Sequence, residues 1–388
     1  MPDAPVPVVL AKNLGRALKG GHPWVFRDAL QAPPRIEDGA MVELRTPEDR
    51  PVATGFWDAR SAIAVRVLEA GPLADPRSRI NERIHAALAR RRERIDPART
   101  NAFRWIHGEA DRLPGIHVDL YGDVAVVRFD GSGATVFYED LGARLAEAAR
   151  PLDLRAVLDR QSGGRMYGRG APARFEVREN GLRYEVSPGV GGKGGLFLDQ
   201  RENRELVERL ATGRTVLNLF GYTGGFSLSA ARGGAATTDT VDSARPAIAA
   251  ARRNFERNGL STEHAGFHVA DAFEFLEAAV RRRQVWSLVI SDPPSFAPNQ
   301  AAREQARRAY VQLHRLASKA VAKGGVLCAA SCSSHFSRRD LLASLEAGAR
   351  GAGRSFRLEE LRGAGFDHPV LGSFPEGDYL KFAVGRVV

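Results

Sequence analysis

Residues Thr215–Asp242, TVLNLFGYTGGFSLSAARGGAATTDTVD, decide the fold. The run Thr215–Phe220 is apolar, branched and aromatic, as a buried strand requires. Gly221-Tyr222-Thr223-Gly224-Gly225 follows, a turn in which glycines let main chain approach a ligand closely. Phe226–Arg232 reads as a helix stopped by Gly233-Gly234. A second strand, Ala235–Val241, ends on Asp242, 21 residues beyond Gly221.

Strand, glycine turn, helix, strand and acid form the layout of a nucleotide-binding crossover unit. An acid at the end of the second strand can accept from both hydroxyls of a ribose. From Gly221 the glycines fall at +3 and +4, not at the +2 and +5 of the dinucleotide fingerprint, and no GxxxxGK[ST] phosphate loop is present. A nucleoside without a pyrophosphate fits this spacing, which makes S-adenosylmethionine the candidate cofactor. A ligand-free parallel crossover is the competing reading of the stretch alone.

Working outward, strand and helix candidates alternate from Leu196 to the end, which argues for a parallel sheet. Asp199 with Glu202 three residues on reads as a capping box for a helix Gln200–Ala211. Strand Gly266–Ala270 closes on Asp271, strand Trp286–Ser291 on Asp292, and strand Val326–Ser331 on Cys332. Three acids and a thiol thus stand at the carboxyl ends of successive strands, the edge where open α/β sheets bind ligands.

Each of these groups has two readings. Asp271 can accept from an adenine amino group or simply cap the helix that it opens. In Ser291-Asp292-Pro293-Pro294-Ser295-Phe296 two prolines forbid strand continuation and fix carbonyls that can face a planar substrate; a plain proline turn is the alternative. Cys332, in SCSSHFS before a helix beginning near Ser337, is a nucleophile if its pKa is lowered there, or a buried structural thiol. Cys328, in mid-strand, reads as a small core residue.

Before Leu196 the chain divides into smaller pieces. Residues 1–74 are β-rich, with strands expected at Met41–Leu44, Val52–Phe56 and Ile63–Leu68. Trp24 and Phe26 in HPWVF read first as filling a small barrel, with base stacking second. A helix over Ser78–Ile95 has one apolar face; Arg79, Arg83, Arg90, Arg91, Arg92 and Arg94 make the rest a solvated or phosphate-contacting surface. Residues 103–187 hold two hairpin signals around a helical Val136–Ala149, and Asn180-Gly181 suits a type I′ turn. Ser187–Gly195, SPGVGGKGG, reads as a joint or ligand-covering loop.

Composition limits the function classes. The 388 residues carry 56 Lys plus Arg against 46 Asp plus Glu, a net charge of +10. Such a balance suits a polyanionic partner such as RNA, although arginine-rich composition alone also produces it. The 2 cysteines, spaced CxxxC, fit neither a disulfide framework nor a common zinc pattern, so no metal is expected. No long apolar window or apolar leader is visible, and the expectation is a cytoplasmic protein without a membrane partner.

Seven segments in order resemble one family: HPWVF, GEADRLPGIHVDLYG (Gly108–Gly122), FLDQRENR (Phe197–Arg204), VLNLFGYTGGF, DPPSF, SCSS and DHPVLGSFPEGDYLK (Asp367–Lys381). The chain is similar, over nearly its full length, to the RlmI-type bacterial methyltransferases that make 5-methylcytosine in large-subunit (23S) ribosomal RNA. The resemblance implies a PUA-like β-barrel (1–74), a small α+β middle domain (75–187) and a Rossmann-like class I methyltransferase domain (188–388). It implies that Phe197, Asp199, Gln200, Arg201, Asn218, Phe220, Gly221, Tyr222, Thr223, Gly224, Gly225, Asp242, Asp271, Ala272 and Asp292 hold S-adenosylmethionine. Pro293, Pro294, Ser295 and Phe296 would meet the target base, with Asp292 and Cys332 catalytic. RNA is the implied partner, with a homodimer admissible.

Three positions depart from the family pattern. Ser295 stands where relatives carry lysine and two-cysteine enzymes place a second thiol, Gly194 replaces a threonine, and Gly221 replaces a serine. A guanine N-methyltransferase of the sister group, which lacks the thiol, and a non-catalytic RNA-binding assembly factor are the alternatives.

Overall fold

The computed structural model describes residues 4–32, 35–187, 194–296 and 300–388. The chain forms two units. One comprises residues 1–177, 187–194 and 366–377; the other comprises residues 178–186, 195–365 and 378–388. Most of the glycine-rich Ser187–Gly195 stretch, residues 188–193, lies outside the described residues, as do residues 297–299 after Phe296.

The second unit is an α/β domain on a seven-stranded sheet. Its spatial order is Ala265–Val269, Thr237–Asp242, Thr215–Leu219, Trp286–Ser291, Val321–Ser331, Lys381–Val387 and Phe356–Arg362. The first five strands run parallel, and Lys381–Val387 is antiparallel to both of its neighbours. Val216, Leu217 and Leu219 are fully buried, as are Leu288, Val289, Ile290 and Leu327, which explains the near-continuous apolar runs of the central strands. Strand order reverses at Thr215–Leu219, between the strand ending on Asp242 and the strand leading to Asp292. A crevice at the carboxyl ends of the strands forms at such a reversal.

The first unit holds two five-stranded sheets. Val6–Val9, Met41–Arg45, Pro51–Trp57, Ile63–Ala70 and Trp24–Phe26 form one; Arg165–Gly168, Ala156–Asp159, Val124–Phe129, Ile116–Tyr121 and Ala102–His107 form the other. Asn180 and Gly181 both have positive φ, 50° and 85°, as a type I′ turn demands of the hairpin Phe175–Glu179/Leu182–Val186.

Three local expectations change. Val25 is fully buried, but its neighbour Phe26 is 43% exposed, so the short strand turns Phe26 outward from the barrel core. The arginines of the helix Pro76–Arg92 and the turn after it do not form one free surface: Arg79, Arg90, Arg92 and Arg94 are exposed, while Arg83 and Arg91 are drawn into the fold. Arg91 is buried and pairs through both terminal nitrogens with Asp111 at 2.7 Å, Arg90 joins the same carboxylate, and Arg83 donates to the Leu68 and Arg112 carbonyls. The segment Val136–Ala149 is broken, with helices at Ser132–Phe137 and Leu141–Ala148. Among the described residues no helix is long and apolar enough to cross a membrane.

Candidate active site

Thr215–Leu219 delivers its carboxyl end into a strained turn. Phe220 and Tyr222 adopt φ of 56° and 47°, and Gly224 reaches 80°. Left-handed backbone at two non-glycine residues costs about 1–3 kcal/mol each and persists only where the surroundings over-determine it. Here Gly221 N–H donates to Val241 O (2.9 Å) and Tyr222 N–H to Asp242 Oδ2 (2.9 Å). A Cβ on Gly221 would lie 2.6 Å from Thr240 Cγ2 and 3.0 Å from Asn218 Nδ2, so only glycine fits.

Asp242, the expected ribose acid, accepts Tyr222 N–H on one oxygen and Ala244 N–H on the other (2.8 Å). Each oxygen keeps a lone pair for a further donor. Asn218 is buried; it donates to Ser227 Oγ (3.0 Å), while its Oδ1 has no hydrogen-bond partner. Thr223 Oγ1 donates to Gly195 O, Gly195 N–H donates to Tyr222 OH, and the Phe197 ring lies 5.4 Å from that of Tyr222. The predicted cofactor segments around Phe197 and Phe220–Gly225 therefore meet. Arg201 starts the helix Arg201–Leu210 and is buried, as are Gln200 and Thr223.

Asp199 does not make the capping box read from its spacing to Glu202. It sits in a 3-10 turn, Leu198–Gln200, and accepts from Tyr379 OH at 2.6 Å instead. Asp271 is the cap that its alternative reading describes: Oδ1 accepts from Phe273 N–H (2.8 Å) and Glu274 N–H (3.1 Å), ahead of buried Ala272. The helix it opens reaches the Asp-Pro-Pro loop through Phe273, whose ring is 6.5 Å from that of Phe296.

On the other side of the reversal, Gln200 Nε2 donates to Asp292 Oδ2 at 3.0 Å. Pro293 is buried, Pro294 and Ser295 are exposed, and Ser295 Oγ lies 2.8 Å from Ser333 Oγ. The expected base-contact loop and the SCSS loop are thus tied together beside the half-buried Cys332.

The thiol itself differs from expectation. Burial foremost, then the carboxylates of Asp292 and Asp199, push the Cys332 thiol up to about 11, where a lowered value was anticipated. The next helix begins only at Arg338, and its amino end is already satisfied by a capping box between Ser337 and Asp340. Cys328 is a core residue, fully buried, its thiol pushed up to about 12 by burial.

Sequence reasoning missed Tyr379, Asn203, Arg204 and Lys381 as individuals. Arg204 makes two bonds to Glu179 (2.7 Å each) and one to Phe197 O, while Lys381 Nζ donates to Ser333 O and Tyr379 O, both at 2.7 Å. Their only signal was membership of FLDQRENR and DYLK.

Among the described residues no three His, Cys, Asp or Glu side chains are gathered to hold a metal. The glycine-only cradle at Gly221, the acid ending the neighbouring strand and the unpartnered Asn218 Oδ1 fit a nucleoside bearing a small charged tail.

A family model for S-adenosylmethionine-dependent methyltransferases matches residues 143–365, and one for a PUA-like domain matches residues 8–70. A ribosomal RNA large subunit methyltransferase of Deinococcus radiodurans is 38% identical over 94% of this chain and 93% of its own. Ribosomal RNA large subunit methyltransferase I of Alteromonas mediterranea is 33% identical over 98% of each. Among solved structures, a methyltransferase in complex with SAH shares the fold with a TM-score of 0.86 at 24% identity, over 98% of this chain and 100% of that one. The chain belongs to the S-adenosylmethionine-dependent methyltransferases and, within them, to the family of the ribosomal RNA large subunit methyltransferases.

Proposed function

We propose that the protein forms 5-methylcytosine in large-subunit (23S) ribosomal RNA, with Cys332 as covalent nucleophile. The observation that carries this reading is the joining of the Asp292 and Cys332 loops, through Ser295 Oγ and Ser333 Oγ at 2.8 Å, at the edge where the sheet order reverses. Bound S-adenosylmethionine supplies an electrophilic methyl carbon. Asp242 would accept from its ribose, the Gly221–Gly225 turn and Asn218 would line it, and Phe197 and Tyr222 would offer ring surface.

C5 of cytosine is a poor nucleophile, so the chain must first activate the ring. The Cys332 thiol gives up its proton to water, and its sulfur adds to C6, forming an S–C6 bond and shifting an electron pair toward C5 and the N3 edge. Asp292 would accept from the exocyclic amino group and, when protonated, donate to N3. After methylation the C5 proton passes to water, and the electron pair of that C–H bond reforms the C5–C6 double bond and expels the sulfur from C6 as thiolate. With serine at 295, that release uses no second cysteine. Pro293, Pro294 and Phe296 would flank the base, which must leave its stack to reach the thiol.

The test is a map of modified bases in large-subunit rRNA from a strain lacking the gene, with rescue by wild type and Cys332→Ala. Loss of one 5-methylcytosine that the mutant fails to restore is expected. Normal methylation by the mutant rejects the thiol mechanism, and loss of a methylguanine selects the sister chemistry.

A further inference from the structure

One buried charge beside Cys332 has no part in the chemistry proposed for it. Lys381 opens the strand Lys381–Val387 and pairs in register with Ser331, one residue before the thiol. The residue is 2% exposed. Nζ donates to Ser333 O and to Tyr379 O, each at 2.7 Å. Both acceptors are main-chain carbonyls, and the first belongs to the residue after Cys332. An ammonium buried on carbonyls alone is expensive to keep, and an aliphatic chain would pack there at less cost.

The charges around the two groups show what the ammonium is set against. Asp292 and Asp199 both oppose ionisation of Cys332, and Lys381 is the cation that favours it. Around Lys381 itself lie Asp378, Asp340 and Arg338. These are engaged elsewhere, Arg338 with Asp378 (2.9 Å), and Asp340 with Arg303 (2.9 Å) and the Ser337 cap. Tyr310, whose hydroxyl donates to Ser331 Oγ (2.9 Å), is neutral beside the thiol.

We propose that Lys381 is the positioning residue of the nucleophile, anchoring the Ser331–Ser333 loop through the Ser333 carbonyl and supplying the positive charge against which Cys332 ionises. The proposal rests on the reading of Cys332 as nucleophile. It also explains why a thiol can serve in a pocket that already holds two carboxylates.

The test is the pH profile of iodoacetamide alkylation at Cys332, read by peptide mass in a Cys328→Ala background. Lys381→Met is expected to slow alkylation near neutral pH by about tenfold and to move the profile to higher pH, while Lys381→Arg keeps most of the rate. In methylation assays Lys381→Met should lower kcat and leave KM for S-adenosylmethionine unchanged. An unchanged alkylation profile in a folded Lys381→Met variant overturns the proposal. The unmutated lysine gives a second measurement, because burial pulls its ammonium down to about 8. The logarithm of the alkylation rate should rise with unit slope below that pH, pass through a shoulder about one pH unit wide just above it, and then rise again; a unit slope throughout overturns the proposal. If Cys332→Ala still methylates, the nucleophile reading itself is lost. If Cys332→Ala is inactive while Lys381→Met titrates like wild type, only the role of Lys381 falls.

Discussion

Gln200 donates its amide to the carboxylate of Asp292 across 3.0 Å, and the orientation of that amide is itself fixed. Asn203 Nδ2 donates to Gln200 Oε1 (2.7 Å), and Arg362 Nε donates to Asn203 Oδ1 (3.1 Å). Every bond in this relay runs toward Asp292, so its last donor is held before any substrate arrives. A hydrogen bond to a charged group contributes about 1.5–3 kcal/mol. Gln200→Leu should therefore reduce kcat about tenfold to about a hundredfold, with Asn203→Ala reducing it less. Steady-state methylation kinetics check this, and a Gln200→Leu enzyme with full kcat would refute the relay.

Gly221 is required by its neighbours. The methyl of Thr240 lies 2.6 Å from where a Cβ on this residue would stand. Gly221→Ala should destabilise the protein by about 1–3 kcal/mol and weaken S-adenosylmethionine binding. Thr240→Ser, which keeps the hydroxyl bonded to Ser227 Oγ and removes the methyl, should recover part of both losses. Calorimetric titration of cofactor and thermal unfolding of the three variants give the answer; equal loss with and without Thr240→Ser would contradict it.

How much of this was legible in the sequence depends on the distance between partners. The unit Thr215–Asp242 was readable because its strand, turn and acid are local and periodic. Asp271 was readable as a cap for the same reason. Asp199 was not, because its partner Tyr379 lies 180 residues away and outcompetes the local Glu202 pattern. Arg91 looked like surface because helical periodicity cannot foresee a carboxylate arriving at Asp111. The raised thiol of Cys332 follows first from its burial and then from Asp292 and Asp199 meeting around it, which no single segment encodes.

The pair Arg204–Glu179 is almost wholly buried, at 4% and 2% side-chain exposure, and its arginine also holds Phe197 O. Removing one partner strands a charge, at a cost of about 3–5 kcal/mol. Arg204→Met alone should cost that much in urea unfolding, and the double variant Arg204→Met with Glu179→Leu should be markedly more stable than either single one. Additive losses would show that the pair is not coupled.

Acid should unfold the protein through its buried histidines. Burial holds His314 down to about 4, and burial with Arg104 holds His107 and His117 well below their ordinary value. These rings are neutral in the fold while their unfolded counterparts protonate near about 6.5. Stability is therefore full above that pH and lost as pH falls toward the folded values, by about 1.4 kcal/mol per pH unit per histidine. Tm should drop steadily from pH about 7 to about 5, less so in His314→Gln; a flat Tm would contradict this.

The covalent adduct is the centre of the account. Large-subunit rRNA carrying 5-fluorocytidine, incubated with the enzyme and S-adenosylmethionine, has no C5 proton to release and should trap the enzyme on the RNA. A denaturing gel should show an enzyme–RNA band with wild type and none with Cys332→Ala. The absence of that band with an active wild-type enzyme, or its persistence in Cys332→Ala, would contradict the account.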